Sequence, residues 1–225
     1  MSSNSPMARH GLIRRGAEAD LLIDETLDGR LVLKRRIQKR YRITVLDNVI
    51  RSRRTVREAQ LLHEAKMSGI VTPGVVFVDR KNFEIYMQHA SGNRVRDVLG
   101  EKSSSERKKL CVEIGRSIGR LHRKEIIHGD LTTSNFILMP NNVVAIVDFG
   151  LGFHSNSIED RGVDLFLLFR MLESHHFRIA QEAVEGITRG YTAVVGEKLT
   201  PLIINKTQEI KRRGRYIAER WVRER

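Results

Sequence analysis

His128–Asn135 reads His-Gly-Asp-Leu-Thr-Thr-Ser-Asn, and Asp148–Gly150 reads Asp-Phe-Gly at the end of an apolar run. Transfer of a phosphoryl group needs a carboxylate near the acceptor and oxygen ligands that hold magnesium against the phosphates. Asp130 and Asn135 can supply both from one loop. Asp148 adds a second hard oxygen ligand of the kind that Mg²⁺ prefers. The two motifs together predict a site for phosphoryl transfer with magnesium.

Either motif alone is weak, but in this order and spacing they resemble the protein kinase pattern. Upstream, Lys34 follows directly on an apolar, strand-like run, and Glu58 lies in a predicted helix. A lysine that reaches the nucleotide phosphates has to be held in place, and an ion pair to a helix glutamate does this. The competing interpretations are that Lys34 belongs to a basic surface run and that Glu58 is an exposed helix charge.

The first part of the chain is typical of antiparallel strands followed by a helix. Asp28-Gly29 lies between the apolar runs Leu21–Ile23 and Leu31–Leu33, which predicts a β-hairpin. A helical stripe runs from about Thr55 and ends at Gly69. Two more strands are predicted, over 75–78 and 84–87. These elements form a small N-terminal β lobe with one main helix.

Beyond a connector at Ser91–Asn93 the chain becomes mainly helical. Ser103 and Glu106 have the spacing of a capping box and predict a helix start. Short strand-like runs occupy residues 126–153, around the two motifs. Three further helices are predicted, over 164–172, over 179–191 and from Pro201 to about Arg213. The predicted fold is therefore α+β and bilobal, with a larger, mainly α-helical C-terminal lobe.

The domain prediction places a flexible N-terminus at 1–10, a nucleotide-binding lobe at 11–90, a catalytic lobe at 91–205 and a basic tail at 206–225. The single cysteine, Cys111, excludes a disulfide framework and favours a reducing, cytoplasmic compartment. No apolar run approaches the roughly 20 residues that cross a bilayer. Residues 1–10 lack the apolar centre of a secretory signal. We therefore expect no membrane association.

Positive charge is concentrated in two segments of a chain whose net charge is +13. Lys34–Arg57 contains ten basic residues and one acidic residue, and Lys206–Arg225 contains eight basic and three acidic residues. The remainder is close to neutral. Such concentration favours a polyanion or an acidic protein surface as partner. The alternative is two solvated faces with no partner.

Three departures from the common kinase pattern are themselves informative. The loop expected to cover the phosphates has Gly16 followed by Ala17, Glu18 and Ala19 instead of three glycines. Gly129 stands where regulated kinases have an arginine. Thirteen residues separate Gly150 from the helix carboxylate Asp164, and they contain no Ala-Pro-Glu. There is little room for a peptide-docking platform.

With these departures, the chain resembles the PRPK family, the small kinase subunits of the archaeal and eukaryotic KEOPS complex. The motifs that carry the resemblance extend over nearly the whole chain: Gly16–Ala19, Lys39–Arg42, Leu46-Asp47, Ile50-Arg51, Arg53–Thr55, Glu58-Ala59, His128–Asn135 and Glu159–Leu165. The resemblance implies an atypical serine/threonine kinase with ATPase activity. Its implied partners are the threonylcarbamoyl-transferase subunit, other KEOPS subunits and the tRNA on which the complex makes N6-threonylcarbamoyladenosine.

The resemblance also assigns residues to roles, with ATP and Mg²⁺ as the implied ligands. Asp130 becomes the catalytic acid/base, Lys34 the phosphate anchor and Glu58 its partner. Asn135 and Asp148 become the metal ligands. The remaining nucleotide contacts are Gly16, Ala17, Glu18, Ala19, Met87 at the gate of the adenine pocket, and the hinge residues Gln88 and Ala90. Asp164 is implied to brace the catalytic loop.

Two other functions compete with this one. Small-molecule phosphotransferases of the aminoglycoside or choline kinase type also use His-Gly-Asp with an Asn, but they usually lack Asp-Phe-Gly and carry a larger helical insert. A non-catalytic, tRNA-binding scaffold with a kinase shape is the second. The intact set of Lys34, Glu58, Asp130, Asn135 and Asp148 argues against the scaffold.

Overall fold

The N-terminal lobe is built on an antiparallel sheet. The structure, a computed structural model, describes residues 10–16, 18–24 and 31–223, and the side chains in these ranges other than those of 10, 14, 24 and 214–223. The strands of the sheet are β1 (His10–Arg15), β2 (Ala19–Asp24), β3 (Leu31–Arg36), β4 (Val75–Asp79) and β5 (Glu84–Gln88). Their order in the sheet is β1-β2-β3-β5-β4.

Strands β2 and β3 pair as the hairpin prediction requires. Asp24 lies opposite Leu31, and Leu21 lies opposite Lys34. The predicted turn residues, Asp28 and Gly29, lie outside the described residues. Strand β3 also pairs with β5, where Lys34 faces Ile85. Lys34 is therefore carried by a central strand, which fixes its backbone on both sides.

Helix α1 (Thr44–Met67) begins eleven residues before the predicted start near Thr55. The earlier residues were missed because Ile43 provides no side-chain cap and the apolar Val45 and Leu46 are exposed. No buried apolar stripe therefore marks the first turns. Asp47 is the buried residue of this part, and it forms an ion pair with Arg51 at 2.6 Å.

The C-terminal lobe is mainly helical and is larger, as predicted. Ser103 and Glu106 form the predicted capping box at the start of α3. Short strands form two small sheets, ordered β6-β8-β9 and β10-β7. In chain order the elements are β6 (Asn93–Arg94), α2 (Val95–Val98), α3 (Ser104–Arg123), β7 (Ile126–Ile127), β8 (Phe136–Leu138), β9 (Val144–Ile146), β10 (Phe153–His154), α4 (Ile158–His175), α5 (Ala180–Val195) and α6 (Thr200–Arg223).

Helices α4 and α6 extend well beyond the bounds that the sequence patterns indicate. Helix α4 begins at Ile158 rather than near Asp164, because the Ser157 hydroxyl accepts hydrogen bonds from the amides of Glu159 and Asp160. Helix α6 continues to Arg223, ten residues past the predicted end, with no break between 205 and 206. Residues 206–223 thus extend a helix of the C-terminal lobe.

Helices α3 and α5 approach each other closely through glycines. A Cβ on Gly115 would lie 2.0 Å from the carbonyl oxygen of Ile187, and one on Gly190 would lie 1.9 Å from that of Val112. No side chain fits at either position, so the contact depends on glycine. Most of the buried apolar residues of the two lobes form one cluster, which includes the fully buried Phe149. Among the described residues, no helix has the length and apolar character that a membrane crossing needs.

Candidate active site

A buried carboxylate on α4 holds the loop that carries the His128–Asn135 motif. Asp164 is fully buried, and its two oxygens accept hydrogen bonds from the amides of His128 (2.7 Å) and Gly129 (2.8 Å). The His128 ring contacts the Val147 carbonyl at 3.0 Å, so it packs beneath the loop. Because Asp164 accepts hydrogen bonds from both amides, it fixes the backbone of the loop where the loop enters the cleft.

The backbone conformation of Gly129 explains why the chain has a glycine where regulated kinases have an arginine. Its φ is +78°, in the left-handed region that favours glycine. A Cβ at this position would lie 2.4 Å from the Leu151 carbonyl oxygen. The loop therefore packs directly against the segment after Asp-Phe-Gly, and any side chain would separate the two.

Asp130 and Asn135 lie together at the end of this loop. The Asn135 amide nitrogen donates to the Asp130 carbonyl oxygen (2.9 Å) and to its carboxylate (3.0 Å). The Asn135 amide oxygen receives no hydrogen bond within the described part of the chain, so it remains available as a ligand. Burial raises the pKa of the Asp130 carboxyl, against the lowering effect of the Asn135 hydrogen bond. Asp130 is thereby suited to accept a proton.

Asp148 reaches the same cleft from the end of the β9 run. Its φ of +67° is unusual for a residue other than glycine, and such backbone strain often marks a functional site. Its carboxylate accepts a hydrogen bond from Lys34 Nζ at 2.6 Å, and its side chain is 47% exposed. Burial opposes ionisation, but the Lys34 ammonium outweighs it and lowers the pKa of Asp148.

Lys34 bridges two carboxylates inside the cleft. Its Nζ lies 2.6 Å from Glu58 on α1 as well as 2.6 Å from Asp148. Burial disfavours its charge, yet Glu58 and Asp148 raise the pKa of Lys34 above its ordinary value. Lys34 is therefore a buried cation at neutral pH, and Glu58, which is 1% exposed, is not a surface charge.

Arg36 is a cleft residue that the sequence interpretation did not single out. Its Nη2 lies 2.5 Å from Glu58, and its side chain is 4% exposed. The alternation of side chains along β3 is a sequence signal for it, because residues 34 and 36 point to the same side of a strand. The exposed Arg35 between them, paired with Glu84, points to the other side.

The predicted site residues line one continuous cleft between the lobes. A cavity of about 360 Å³ and an adjoining cavity of about 160 Å³ share Leu21, Lys34, Ser134, Asn135 and Asp148. The larger cavity is also lined by the predicted residues Gly16, Glu18, Ala19 and Asp130. The smaller one is lined by Glu58, Met87, Gln88 and Ala90, among others. Ala17 lies outside the described residues. Ser134 and Thr132, which sequence reasoning passed over inside the motif, also face the larger cavity.

The turn before β2 covers the larger cavity. The Gly16 amide donates to the Ala19 carbonyl oxygen at 3.0 Å, and a Cβ on Gly16 would lie 2.6 Å from that oxygen. A side chain at position 16 would thus open the turn. The Glu18 carboxylate contacts Arg54 on α1 and lies 3.9 Å from Arg36. Its charge is therefore directed at cations of the lobe.

Gln88, which is predicted to be a hinge residue, is held by its own lobe. Its amide oxygen accepts hydrogen bonds from the Gly74 amide (3.2 Å) and from Lys66 Nζ (3.3 Å). Met87 is buried at the same end of the smaller cavity. The position of Gln88 thus depends on α1 and on the approach to β4.

The oxygen ligands at the centre of the cleft suit a divalent cation that is shared with phosphates. Among the residues that the structure describes, no group of three or more His, Cys, Asp or Glu side chains is arranged to hold a metal alone. Asp148 and Asn135 offer one carboxylate and one amide oxygen to the shared part of the cleft. Mg²⁺ accepts such a sparse, hard set when waters and phosphate oxygens complete it.

The two basic segments, which predict a polyanion or an acidic protein surface as partner, are only partly available to one. Lys34 and Arg36 are buried in ion pairs, and Lys211 and Arg213 each contact a glutamate of α4 at 2.6 Å. Part of the positive charge is therefore used inside the molecule. Three arginines of the first segment are exposed and have no ionic partner in the described part of the chain: Arg40, Arg53 and Arg57.

Comparisons with known proteins show which family the chain belongs to. Residues 25–176 match the family described as protein kinase domain. The chain is 42% identical to the KEOPS complex subunit Bud32 of Pyrococcus abyssi, with 94% of this chain and 98% of that protein covered. It is also 40% identical to a probable bifunctional tRNA threonylcarbamoyladenosine biosynthesis protein of Methanothermobacter thermautotrophicus, and 37% identical to the one of Methanocaldococcus jannaschii. These matches cover 91% and 92% of this chain, and 36% and 37% of the two relatives. The chain therefore spans just over a third of the length of these bifunctional proteins.

Proposed function

Since the chain belongs to the protein kinase family and, within it, to the family of the KEOPS complex subunit Bud32, we propose that it is an atypical kinase subunit supporting threonylcarbamoyladenosine modification of tRNA. One observation carries the catalytic part of this proposal. Five polar side chains that are far apart in the sequence line a single cleft: Lys34, Glu58, Asp130, Asn135 and Asp148.

We assign the two ends of the cleft to the two parts of ATP. The adenine would occupy the smaller cavity beside Met87, with Gln88 and Ala90 as the hinge. The phosphates would lie in the larger cavity, beneath the Gly16–Ala19 turn and next to Lys34. The charged Lys34 supports this assignment because a fixed ammonium offsets phosphate charge, and Glu58 holds it in position.

We assign Asp130 as the residue that orients the acceptor hydroxyl or water and takes its proton. Support comes from its place on the larger cavity and from the Asn135 hydrogen bond that fixes its carboxylate. Asn135 and Asp148 would hold Mg²⁺, which when bound neutralises charge on the phosphates. Protein kinases use ATP with a divalent metal; Mg²⁺ is our specific assignment for this chain.

We further propose that the chain phosphorylates serine or threonine, hydrolyses ATP, or does both, as a subunit of a KEOPS complex. Its direct partner would be the threonylcarbamoyl-transferase subunit, and tRNA would contact the exposed arginines. The exposed Arg53 and Arg57 on α1 support this, because unpaired cations are suited to phosphates. We also propose that the boundary between the two lobes lies near residue 90. A tRNA-modifying role would place the chain in the cytoplasm.

The test is ATP consumption by the purified chain alone, with the threonylcarbamoyl-transferase subunit, and with tRNA added. Asp130→Asn should lower turnover by roughly 100-fold or more, because it removes the proton acceptor. Asp97→Asn is the matched control, since Asp97 is exposed and lines neither cavity, and it should leave ATP consumption unchanged. Turnover that is equal in the wild type and in Asp130→Asn would refute the catalytic assignment. If ATP consumption is stimulated only when both the transferase subunit and tRNA are present, the result would favour coupled ATP hydrolysis over independent protein phosphorylation.

A further inference from the structure

Arg36 lies beside Lys34 in the cleft and lines the larger cavity. It follows Lys34 by two residues on β3, so both side chains enter the cleft from the same side of the strand. Lys34 Nζ binds one oxygen of Glu58, and Arg36 Nη2 binds the other at 2.5 Å. A Cβ built on Gly150 would lie 3.4 Å from Arg36 Nη2 and 3.5 Å from Lys34 Nζ. Both cations thus reach the Asp-Phe-Gly turn.

Several donors of the Arg36 guanidinium are not used. Its Nε is buried and has no hydrogen-bond partner among the described residues. Its Nη1 lies 3.9 Å from Glu18, which is beyond hydrogen-bond distance. An arginine has five N–H donors, and buried donors are nearly always paired. A side chain that is 4% exposed, lines the larger cavity and keeps spare donors has the properties of an incomplete binding site.

From these contacts we propose that Arg36 is a phosphate-binding residue, which contacts the ATP phosphates directly in addition to Lys34. This inference rests on the proposed function, because it takes the larger cavity to be the phosphate site. The planar guanidinium matches phosphate oxygens in a way that a single ammonium does not. Glu58 would hold both cations in position, one on each oxygen.

The experiment compares ATP with adenosine, which lacks phosphates, by calorimetric titration of the full chain with Mg²⁺ present. Arg36→Gln should weaken ATP binding by roughly 10- to 100-fold, the range of a lost charge-assisted hydrogen bond, and leave adenosine binding unchanged. Arg36→Lys should give a smaller loss. Arg35→Gln is the matched control, because Arg35 is the exposed neighbour on the opposite side of β3, and it should bind both ligands like the wild type.

A second comparison separates direct contact from an effect through Lys34. In a Lys34→Gln background, Arg36→Gln should weaken ATP binding further, because Arg36 touches the phosphates itself. No further loss there, an unchanged ATP affinity in the single variant, or an equal loss of adenosine affinity would each overturn the inference. A wild-type chain that binds adenosine and ATP equally would instead defeat the phosphate site of the proposed function.

Discussion

At the scale of single residues, the site places two carboxylates in contrasting environments. Asp148 faces the Lys34 ammonium, which lowers the pKa of Asp148, whereas burial raises the pKa of Asp130. Environments that separate two pKa values in this way commonly distinguish a metal or charge-binding carboxylate from an acid/base. The sequence could predict both residue types from their motifs, but it could not predict their opposite shifts, which depend on which groups the fold brings near.

The raised pKa of Asp130 predicts a gain in stability when its charge is removed. A carboxyl whose folded pKa exceeds its unfolded pKa contributes stability that is present below the unfolded value and is lost as the pH rises through the folded value. Asp130→Asn should therefore unfold at the same or a higher temperature than the wild type at pH 7. The difference should shrink towards pH 3, where Asp130 is protonated in both states. Thermal unfolding by circular dichroism across this range checks the sign.

The same thermal unfolding measurements can contradict the prediction for Asp130→Asn. If Asp130→Asn is less stable at neutral pH, and acidification does not narrow the gap, then burial of the Asp130 charge carries no cost. Asp97→Asn serves as the control, because its exposed carboxylate should leave the unfolding temperature unchanged at every pH.

Arg36 illustrates what motifs cannot supply at this scale. Its position in a basic run suggested a surface charge, and strand alternation alone gives only the side of the sheet. Burial at 4% and the contact with Glu58 follow from the packing of α1 against the sheet. Glu18 is a similar case, since its partner Arg54 lies 36 residues away. Long-range ion pairs of this kind are fixed by tertiary structure.

At the scale of elements, the sequence patterns located most strands and helices but misjudged several ends. The start of α1 was missed because its first turns bury little apolar surface, and amphipathic periodicity is then absent. The strands that carry Lys34 and Met87 were located correctly, because compact apolar runs flank them. Among the missed ends, the start of α1 is held by a buried ion pair and the start of α4 by a side-chain cap.

The close crossing of α3 and α5 gives a prediction about stability. Gly190→Ala should lower the free energy of unfolding by about 1–3 kcal/mol, because its Cβ would lie 1.9 Å from the Val112 carbonyl oxygen. This is the reverse of the stabilisation that alanine usually gives in a helix. Chemical denaturation with urea measures the change.

Gly100→Ala provides the matched control for this substitution. A Cβ on Gly100 meets nothing within 4 Å, so the change in unfolding free energy should stay within about 0.5 kcal/mol. Equal effects of the two substitutions would show that the α3–α5 contact tolerates a side chain, contrary to the geometry.

At the scale of the whole molecule, the two-lobed α+β fold was predictable because the chemical motifs lie at recognisable places along strands and loops. The distribution of charge was less predictable. The first basic segment contributes Lys34 and Arg36 to the cleft, and the second joins α6 to α4 through Lys206, Lys211 and Arg213. A net charge counted along the sequence cannot separate such internal pairs from charges that meet a partner.

The extended α6 helix leads to a prediction about assembly. Deletion from Arg212 onward should weaken binding of the chain to the threonylcarbamoyl-transferase subunit or to tRNA more than it lowers the unfolding temperature. The ion pair of Arg213 with Glu159 is exposed on both sides, and exposed pairs contribute about 0–1 kcal/mol. Binding to tRNA at 50 and 200 mM salt should show a smaller salt dependence for the deletion, because fewer phosphates are neutralised.

The control for the deletion is a double variant, Arg123→Ala with Lys124→Ala, which removes two exposed cations elsewhere on the C-terminal lobe. It should bind like the wild type. Unchanged affinity and salt dependence on deletion of residues 212–225 would exclude this end of the chain from the interface.

The most direct test of ATP and Mg²⁺ binding in the cleft is a calorimetric titration of the chain with ATP, with and without Mg²⁺, in the wild type and in Asp148→Asn. We predict one ATP per chain, bound more tightly with Mg²⁺, and loss of that metal dependence in Asp148→Asn, because this carboxylate would supply a metal oxygen. The absence of ATP binding at millimolar concentrations, or a Mg²⁺ effect that persists undiminished in Asp148→Asn, would contradict it.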